Sequence, residues 1–497
     1  MPHAPRTLVD AGLTEAADRA LARALDGRVL VSAERFCASM RTLYTGPAPL
    51  PSARPTVAVG CYPGWSDAAP DTVLAAEART RVRGPGQRHA WMQAVDAEAS
   101  ALLRTRAAPP VIAAWYATDR LRRWAGPGGT VAAIDGRLRA AVEDKAAFDA
   151  LLRAAGVPER TRIPCVRVDA RLPDLAELRA RVGAARLVVQ SGADSGGRGR
   201  VFVDTDADLA RAASMDGPYK VAAFVEGWSS NVTVLSVPDG RGWVSVYVDR
   251  PSHKAIGIPE AGIGPGKSAG NDWSRPWPAQ AAADLVDAAV RVGELLWHTR
   301  RMAGMFGLDA LLTGDGRVQL NEINCRNQGT TEVSAVNQQL RGLPPFTAAH
   351  LTILLGGHPD WLPPADDFNQ ATLTAATSPE PGPFYLKLRH HGDRPVRLTG
   401  LRGPGVYRPA AENTHLTWVR PGTHPYQADA DRSEVLLTSL PGQDVVCLPG
   451  AELGTVEGLT TGPGRPFAGP HQLSGPGRGL LDALAAHLTA TALPPAR

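Results

Sequence analysis

Two carboxylates and an amide recur at alternate positions near the middle of the chain. In the stretch GLDALLTGDGRVQLNEINCRNQG (307–329), one apolar run carries Asp309, the pair Asp315-Gly316 follows, and a second run carries Glu322 and Asn324. An Asp-Gly pair between apolar runs is typical of a tight β-hairpin, because both central residues of such a turn need a positive φ. The sequence therefore predicts two antiparallel strands joined by a two-residue loop.

The register of this hairpin brings the polar side chains together. With a two-residue loop, Asp309 lies directly opposite Glu322, and Gly307 lies opposite Asn324. Directly opposed Cβ atoms are about 4.5–5.5 Å apart, where like charges destabilise a sheet. A cation would remove the repulsion, and Mg²⁺ prefers hard oxygen ligands and often bridges to phosphates. We therefore predict a magnesium site at Asp309, Glu322 and Asn324. The alternative is a solvated edge hairpin, and a one-residue slip would remove Asp309 from the patch.

Arg326 and Gln328 continue the alternation beyond these residues. An arginine at this place could bind a carboxylate or a phosphoryl group with two parallel hydrogen bonds. The alternative is a salt bridge to a neighbouring acid. Cys325 points the other way on an alternating strand, so we interpret it as a packing residue and not as a nucleophile.

Composition excludes several classes of protein. The chain has 497 residues, enough for about three domains, and a net charge of +4, too weak to indicate a nucleic acid or a membrane surface as partner. No apolar run reaches the roughly 18 residues of a membrane span, and the first residues lack the pattern of a signal peptide. The five scattered cysteines indicate reduced thiols and a cytoplasmic protein. Only five of the 53 basic residues are lysines, at 145, 220, 254, 267 and 387.

Apolar periodicity divides the chain into three regions. The first 45 or so residues are predicted to be helical, and the runs 54–62, 109–117 and 130–134 to be buried strands of a parallel sheet. A helix is predicted from about Glu143 to Gly156. From about Ser378 the chain consists of short strands between Pro and Gly. We predict an α/β (α+β) multidomain fold with domains at 1–140, 141–370 and 371–497.

A glycine-rich turn in the middle region could approach phosphate oxygens. The stretch RLVVQSGADSGGRGRVFVD (186–204) reads as strand, turn and strand, although it has neither the GKS/T nor the following helix of a Walker loop. Further on, an apolar strand breaks at Glu226-Gly227, where backbone groups could pair with an adenine edge and Phe224 could pack on the ring. The alternatives are a plain surface hairpin and a core strand that ends in a turn.

The order of these features resembles that of the ATP-grasp superfamily, from about residue 142 to residue 355. The resemblance implies that ATP and two Mg²⁺ ions bind, with Glu322 bridging the ions, Asp309 holding one and Asn324 the other. It also implies an α/β domain of the pre-ATP-grasp type before a two-lobed ATP-grasp fold, and a β-rich domain after it. The nucleotide-binding residues that it implies are Lys145, Gln190, Ser195, Gly196, Gly197, Gly199, Ala223, Phe224 and Val225.

Two positions depart from the pattern of that family. The family usually has a lysine at the position of Gln190, and a glutamate at the hinge where this chain has Ala222 and Ala223. Both changes remove polar or charged contacts to ATP. The three metal ligands are retained, which favours catalysis over a nucleotide-binding regulator that has lost its activity.

The resemblance implies a carboxylate–amine ligase that forms an acylphosphate and releases ADP. Arg326 would act on the carboxylate or the developing oxyanion, and Gln328, His253 and Lys254 would bind substrate. The Gly-rich stretch 251–273, which carries His253 and Lys254, is either a lid or acceptor loop or an ordinary long surface loop. Less specifically, the chain resembles peptide ligases of pheganomycin-type antibiotic biosynthesis, which implies an amino-acid-like donor and an amine or peptide acceptor. Related ligases are often homodimers. The rival is a biotin carboxylase-like enzyme, whose polar row is similar, although no biotin attachment motif occurs here.

Overall fold

The computed structural model describes residues 10–63, 70–192, 199–410 and 414–493. The fold is mixed α/β, with one parallel sheet and several antiparallel sheets, as the sequence predicted. Within the described ranges, none of the helices combines the length and the apolar character needed to cross a bilayer. The predicted phosphate-loop residues Ser195, Gly196 and Gly197 lie outside the described residues.

The N-terminal region is built on a five-stranded parallel sheet of order β3-β2-β1-β5-β6. Its strands read as unbroken apolar runs because both faces of such a sheet are covered. The strands are β1 (Val29–Ala33), β2 (Val57–Gly60), β3 (Thr72–Ala75), β5 (Pro110–Ala114) and β6 (Thr130–Ala132), and the short β4 (Val82–Arg83) lies elsewhere. The helices are α1 (Ala11–Leu25), α2 (Arg41–Tyr44), α3 (Ala76–Thr80), α4 (Pro85–Ala94), α5 (Asp96–Arg104) and α6 (Asp119–Ala125).

The prediction of strands at 54–62, 109–117 and 130–134 is confirmed, but that of an all-helical start is wrong. Helix α1 ends at Leu25, because Asp26 adopts the left-handed conformation and its N–H caps the helix. The next apolar run, VLVSA, forms the central strand β1. Because strand order reverses between β1 and β5, a crevice opens at their carboxyl ends.

The middle region contains a small antiparallel sheet of order β7-β10-β8-β9. The predicted helix near Glu143 is split into α7 (Gly136–Val142), a 3₁₀ turn (Lys145–Ala147) and α8 (Phe148–Ala154). The sheet consists of β7 (Cys165–Val168), β8 (Leu187–Ser191), β9 (Arg200–Val203) and β10 (Tyr219–Ala223), with α9 (Leu175–Val182) and α10 (Asp206–Ala213) beside it. The glycine-rich stretch joins β8 to β9, as predicted.

A large sheet holds the hairpin that carries the carboxylates. Its path is β16-β15-β11-β13-β14-β17-β23-β21-β19-β20, with β12 paired to β11. The middle region supplies β11 (Gly227–Pro238), β12 (Val244–Val248), β13 (Ser252–Ile256), β14 (Ser268–Asp272), β15 (Gly304–Thr313) and β16 (Val318–Asn324). Four helices pack in this region: α11 (Ala279–Arg300), α12 (Thr331–Leu340), α13 (Phe346–Leu354) and α14 (Ala365–Thr377).

The C-terminal strands continue this sheet, because β17 pairs with β14. They are β17 (Gly382–Arg389), β18 (Val396–Leu398), β19 (Gly405–Pro409), β20 (Leu416–Arg420), β21 (Val435–Thr438), β22 (Val446–Cys447), β23 (Glu452–Thr460), β24 (Phe467–Gly469), β25 (Gln472–Leu473) and β26 (Leu488–Ala490), with helix α15 (Gly475–Ala485). The predicted C-terminal region thus shares a sheet with the middle one. The boundary at residue 370 stays a prediction about folding units.

The hairpin register contains two departures from the predicted geometry that cancel. The loop has three residues, since Thr313 and Arg317 close it and Gly316 takes a φ of +80°. A bulge at Asn321 then restores the register, so that Asp309 pairs with Glu322 and Gly307 with Asn324. The predicted pairs are confirmed, and the predicted two-residue loop is wrong.

A buried arginine ties the N-terminal region to the C-terminal strands. Arg83 is 1% exposed, pairs with the buried carboxylate of Glu77 and donates to the carbonyl groups of Ser439, Leu440 and Glu452. We expect Arg83→Met to lower the free energy of unfolding by about 3–5 kcal/mol, because Glu77 would keep a buried charge without its partner. Urea denaturation followed by fluorescence measures the change.

The control for this prediction is Arg19→Met. Arg19 and Glu15 form an exposed pair at 3.2 Å, with side chains 62% and 71% exposed, so its loss should cost less than about 1 kcal/mol. Equal effects of the two substitutions would show that Arg83 does not fasten the C-terminal strands.

Candidate active site

Asp309 lies at the centre of a buried polar network on the large sheet. Its register partner on β11 is Asn231, whose amide Nδ2 donates to Asp309 Oδ1 at 2.6 Å and to Gln328 Oε1 at 2.8 Å. The other carboxylate oxygen, Oδ2, lies 2.5 Å from Lys254 Nζ. Thr330 donates to the amide oxygen of Asn231 at 3.0 Å. These contacts hold Asp309 in one orientation.

Glu322, across the hairpin from Asp309, is surrounded by cations. Lys145 Nζ lies 3.9 Å from its Oε2. Burial opposes ionisation of Glu322, but Lys145, Lys254, Arg200 and Arg326 outweigh it and lower its pKa to about 2. The pKa of Asp309 is raised by burial, against the effect of Lys254. The repulsion that the sequence predicted between the two acids is therefore balanced by side chains from several elements.

The donor set at this hairpin fits magnesium. Asp309, Glu322 and Asn324 offer two carboxylates and an amide oxygen, and Mg²⁺ commonly takes few protein ligands and completes its shell with water and phosphate. Among the described residues, no group of three or more His, Cys, Asp and Glu side chains forms a cluster that could hold a metal alone. The ions would then bind together with a phosphate ligand, whose negative charge they would neutralise.

Arg326 joins the hairpin to the N-terminal region. Its Nη2 donates to Asn324 Oδ1 at 2.7 Å, and its Nε lies 3.2 Å from Glu143 Oε1. The guanidinium also lies 5.8 Å from the centre of the Trp115 ring. The salt bridge to a neighbouring acid, the alternative to ligand binding, is thus present, and it positions Arg326 between Asn324 and the parallel sheet.

The predicted nucleotide-binding residues that the structure describes lie on or beside the small sheet. The backbone N–H of Lys145 donates to the carbonyl of Gly192 at 3.2 Å, directly before the glycine-rich stretch. At the far end of that stretch, Gly199 has a φ of +60° and accepts from the N–H of Ser191 at 2.9 Å. Gln190 is buried. The structure therefore places Lys145 beside Gly192, the last described residue before the segment that was predicted to cover phosphates.

The predicted hinge needs a correction. The N–H of Ala223 donates to Pro164, and that of Phe224 donates to Arg186, both at 2.9 Å, so neither is available for an adenine edge. The Phe224 ring packs under the Arg186 guanidinium and against Phe202. Backbone pairing with a base would have to use Val225 or the carbonyl groups of this segment.

The predicted lid at 251–273 is also wrong. Residues 252–256 and 268–272 are strands β13 and β14 in the middle of the large sheet. His253 is buried between Trp228 and Trp277, at 5.1 and 5.2 Å, and burial lowers its pKa to about 3. This burial contradicts its predicted role in substrate binding, whereas Lys254, its neighbour on the other face, contacts Asp309.

A cavity of about 100 Å³ lies where the three regions meet. Residues from the crevice of the parallel sheet line it, together with the segment that follows β16 and the C-terminal strands: Glu34, Arg35, Trp115, Asn327, Gln328, Glu332, Tyr385, Lys387, Glu452 and Glu457 are among them. Of these, only Gln328 was predicted, because the others come from strands far apart in sequence. The one local signal was Glu34, which directly follows the apolar run of β1.

Glu34 is a buried, hydrogen-bonded carboxylate that lines this cavity. It is 5% exposed, and it accepts from Trp115 Nε1 at 2.6 Å and from Asn327 Nδ2 at 3.0 Å. Burial raises its pKa to about 7, although both hydrogen bonds act in the opposite direction. A carboxyl with this pKa can exchange a proton with an amine near neutral pH.

Solved structures of known enzymes share this architecture. Biotin carboxylase from Campylobacter jejuni has a TM-score of 0.52 and 14% identity, over 90% of this chain and 85% of that one. The biotin carboxylase domain of 2-oxoglutarate carboxylase from Hydrogenobacter thermophilus has a TM-score of 0.52 and 13% identity, over 87% and 86%. N5-carboxyaminoimidazole synthase from Aspergillus clavatus has a TM-score of 0.50 and 14% identity, over 87% and 94%.

These neighbours are ATP-grasp enzymes, and at such low identity the likeness concerns the fold. The chain therefore has the ATP-grasp fold that the sequence resemblance implied. No family model matches the chain, and no curated protein matches it.

Gly307 gives a test of the network around Asp309. A Cβ at this position would lie 1.6 Å from Gln328 Nε2, so Gly307→Ala must displace the Gln328 side chain from Asn231. Because the orientation of Asp309 depends on Asn231, we expect the affinity for MgATP to fall about tenfold. Isothermal titration calorimetry measures it. Gly314→Ala, in the loop of the same hairpin with no atom within 4 Å, should leave the affinity unchanged, and equal losses would contradict the role of the network.

Glu34 predicts a pH dependence of stability. Its folded-state pKa of about 7 lies above the ordinary 4.5, so the folded chain holds the proton more tightly, and stability falls as the pH rises from about 4.5 to about 7. Between about pH 5 and pH 8 the free energy of unfolding of the wild type should fall. In Glu34→Gln this fall should be smaller by about 2 kcal/mol, because the buried carboxyl is absent. Urea midpoints at both pH values test this. The exposed Glu294→Gln should keep the wild-type difference, and an unchanged difference in Glu34→Gln would refute the buried proton.

Proposed function

We propose that this chain is an ATP-dependent carboxylate–amine ligase that forms an amide through an acylphosphate and releases ADP and phosphate. The substrates would be an amino-acid-like carboxylate and an amine or peptide, so that the product is a peptide. A role in peptide natural-product biosynthesis, a cytoplasmic location and a homodimeric state belong to the same proposal. The nucleotide would bind with two Mg²⁺ ions at the β15–β16 hairpin.

One observation carries the proposal: a short segment joins the carboxylate hairpin to the cavity. After Asn324, the chain passes Arg326 and reaches Asn327, whose N–H donates to the carbonyl of Trp115 at 3.3 Å and whose side chain donates to Glu34. Gln328 lies in the same segment, bonded to Asn231 and lining the cavity. A group activated at the hairpin would thus be next to a cavity that holds a proton acceptor.

The side chains could support two successive transfers. A substrate carboxylate oxygen attacks the γ-phosphorus, the bond from that phosphorus to ADP breaks, and Lys254 and Lys145 stabilise the charge of the phosphoryl group. The amine nitrogen then attacks the acyl carbon, and the bond to phosphate breaks. The nitrogen loses a proton in this step, which Glu34 can accept. Arg326 would orient the carboxylate or the oxyanion that develops from it.

A biotin carboxylase-like activity is the second candidate, because two of the structural neighbours are biotin carboxylases. The structure from Hydrogenobacter was solved with MgADP and bicarbonate. Such an activity requires bicarbonate and biotin in place of an amine. A third hypothesis is a nucleotide-binding regulator without catalysis. The retained Asp309, Glu322 and Asn324 argue against this hypothesis.

The deciding experiment supplies MgATP with pooled amino acids and short peptides and follows ADP, AMP and product mass together. We expect ADP and a product lighter by one water than its two substrates. Formation of AMP would rule out the acylphosphate. Release of ADP that depends on bicarbonate and biotin would favour the carboxylase.

Glu322→Gln separates a ligase from a binding protein. Removing its charge should lower turnover by about 100-fold or more, because Glu322 would hold the Mg²⁺ ions that neutralise the phosphoryl group, whereas a regulator should keep its response to nucleotide. The exposed Glu260→Gln is the matched control and should retain full turnover. Unchanged turnover in Glu322→Gln would place the chemistry elsewhere.

A further inference from the structure

A row of polar side chains crosses one face of the small sheet. The register places Lys220 of β10 directly opposite Gln190 of β8 and, on its other side, opposite Arg167 of β7. Gln190 in turn faces Arg200 of β9. Directly opposed residues project from the same face, so three cations and one amide form a continuous row. Glu322 is near this row, since both Lys220 and Arg200 interact with its charge.

Lys220 is the buried member of this row of cations. It is 3% exposed, and its Nζ donates to the carbonyl of Asn321 at 2.7 Å and lies 5.5 Å from the Phe148 ring centre. An ammonium group has three N–H donors, and within the described ranges no carboxylate lies within 4.0 Å of this one. Burial accordingly lowers its pKa. The carbonyl of Asn321 takes one of its three N–H donors, and the charge is balanced only from a distance, by Cys165, Glu322 and Asp149.

The two lysines nearest the carboxylates of the hairpin, unlike Lys220, each lie within 4.0 Å of a carboxylate. Lys145 faces Glu322 at 3.9 Å, and Lys254 contacts Asp309 at 2.5 Å. Lys220 instead lies one strand away from the start of the glycine-rich stretch, because β8 ends at Ser191 and Tyr219 pairs with that residue. A buried cation one strand away from the start of that stretch, with no carboxylate within 4.0 Å in the described ranges, suits a multivalent oxyanion.

We propose that Lys220 binds the phosphate chain of the nucleotide, with Gln190 as its neutral neighbour on the same face. This proposal rests on the proposed function and adds a binding residue to its nucleotide site. The competing explanation is structural: Lys220 would only connect the small sheet to the bulge at Asn321 through its single hydrogen bond.

Binding measurements distinguish the two explanations without any turnover. Lys220→Met keeps the length of the side chain and removes its charge. We expect its affinity for ADP and ATP to fall about 10- to 100-fold, as for the loss of a charged hydrogen bond, while its affinity for adenosine stays within about twofold. Isothermal titration calorimetry with the three ligands measures this. Arg211→Met, an exposed cation on α10, is the control and should bind all three like the wild type.

The exchange variant Lys220→Gln/Gln190→Lys is the second test. It moves the ammonium to the opposed position on the same face and should restore ADP affinity to within about fivefold of the wild type. If Lys220→Met lowers the thermal midpoint, its loss of affinity could follow from destabilisation, and the ADP affinity of the exchange variant then tests the proposal. The proposal is overturned if Lys220→Met lowers the affinities for adenosine and ADP equally or lowers neither of them. It is also overturned if the exchange variant does not recover affinity for ADP, or if the wild-type chain binds no ADP. A chain that binds ADP through Lys220 but ligates nothing would refute only the proposed function.

Discussion

Two carboxylates on one rung of a β-hairpin are the constraint on which the rest of the site depends. Asp309 and Glu322 are opposed on neighbouring strands, where like charges repel. The repulsion is balanced from three directions: by the turn before α8 through Lys145, by β13 through Lys254, and by the segment after β16 through Arg326. The arrangement of these elements around the hairpin therefore stabilises the opposed pair Asp309 and Glu322.

The same hairpin explains how three regions of the chain form one site. Its first strand pairs with β11, which supplies Asn231, and its second strand continues into the segment that contacts Trp115 and Glu34. The parallel sheet contributes its carboxyl ends, where strand order reverses, and the C-terminal strands close the cavity from the far side. Each region alone presents only part of the polar lining, which is why the site requires the whole fold.

Local patterns predicted what depends on neighbours in sequence. Alternation within β16 placed Glu322 and Asn324 on one face, and the Asp-Gly turn placed Asp309 opposite, although the agreement required a longer loop and a bulge that cancel. The prediction of a lid at 251–273 was wrong because the Gly and Pro residues around β13 and β14 are typical of a loop. Pairing with β11 and β17 instead makes these two segments strands. Local patterns did not predict the contacts of Glu34 and Asn231, because the partners of these residues lie far away in the sequence.

The pairing of β17 with β14 has a consequence for how the chain can be divided. Gly270, Asn271 and Asp272 pair with Leu386, Tyr385 and Phe384, so a chain ended near residue 370 would present β14 as an open edge. A free edge of this kind recruits strands from other molecules. The C-terminal strands thus serve as the cover that keeps the large sheet from extending into a neighbour, whatever else they contribute to the cavity.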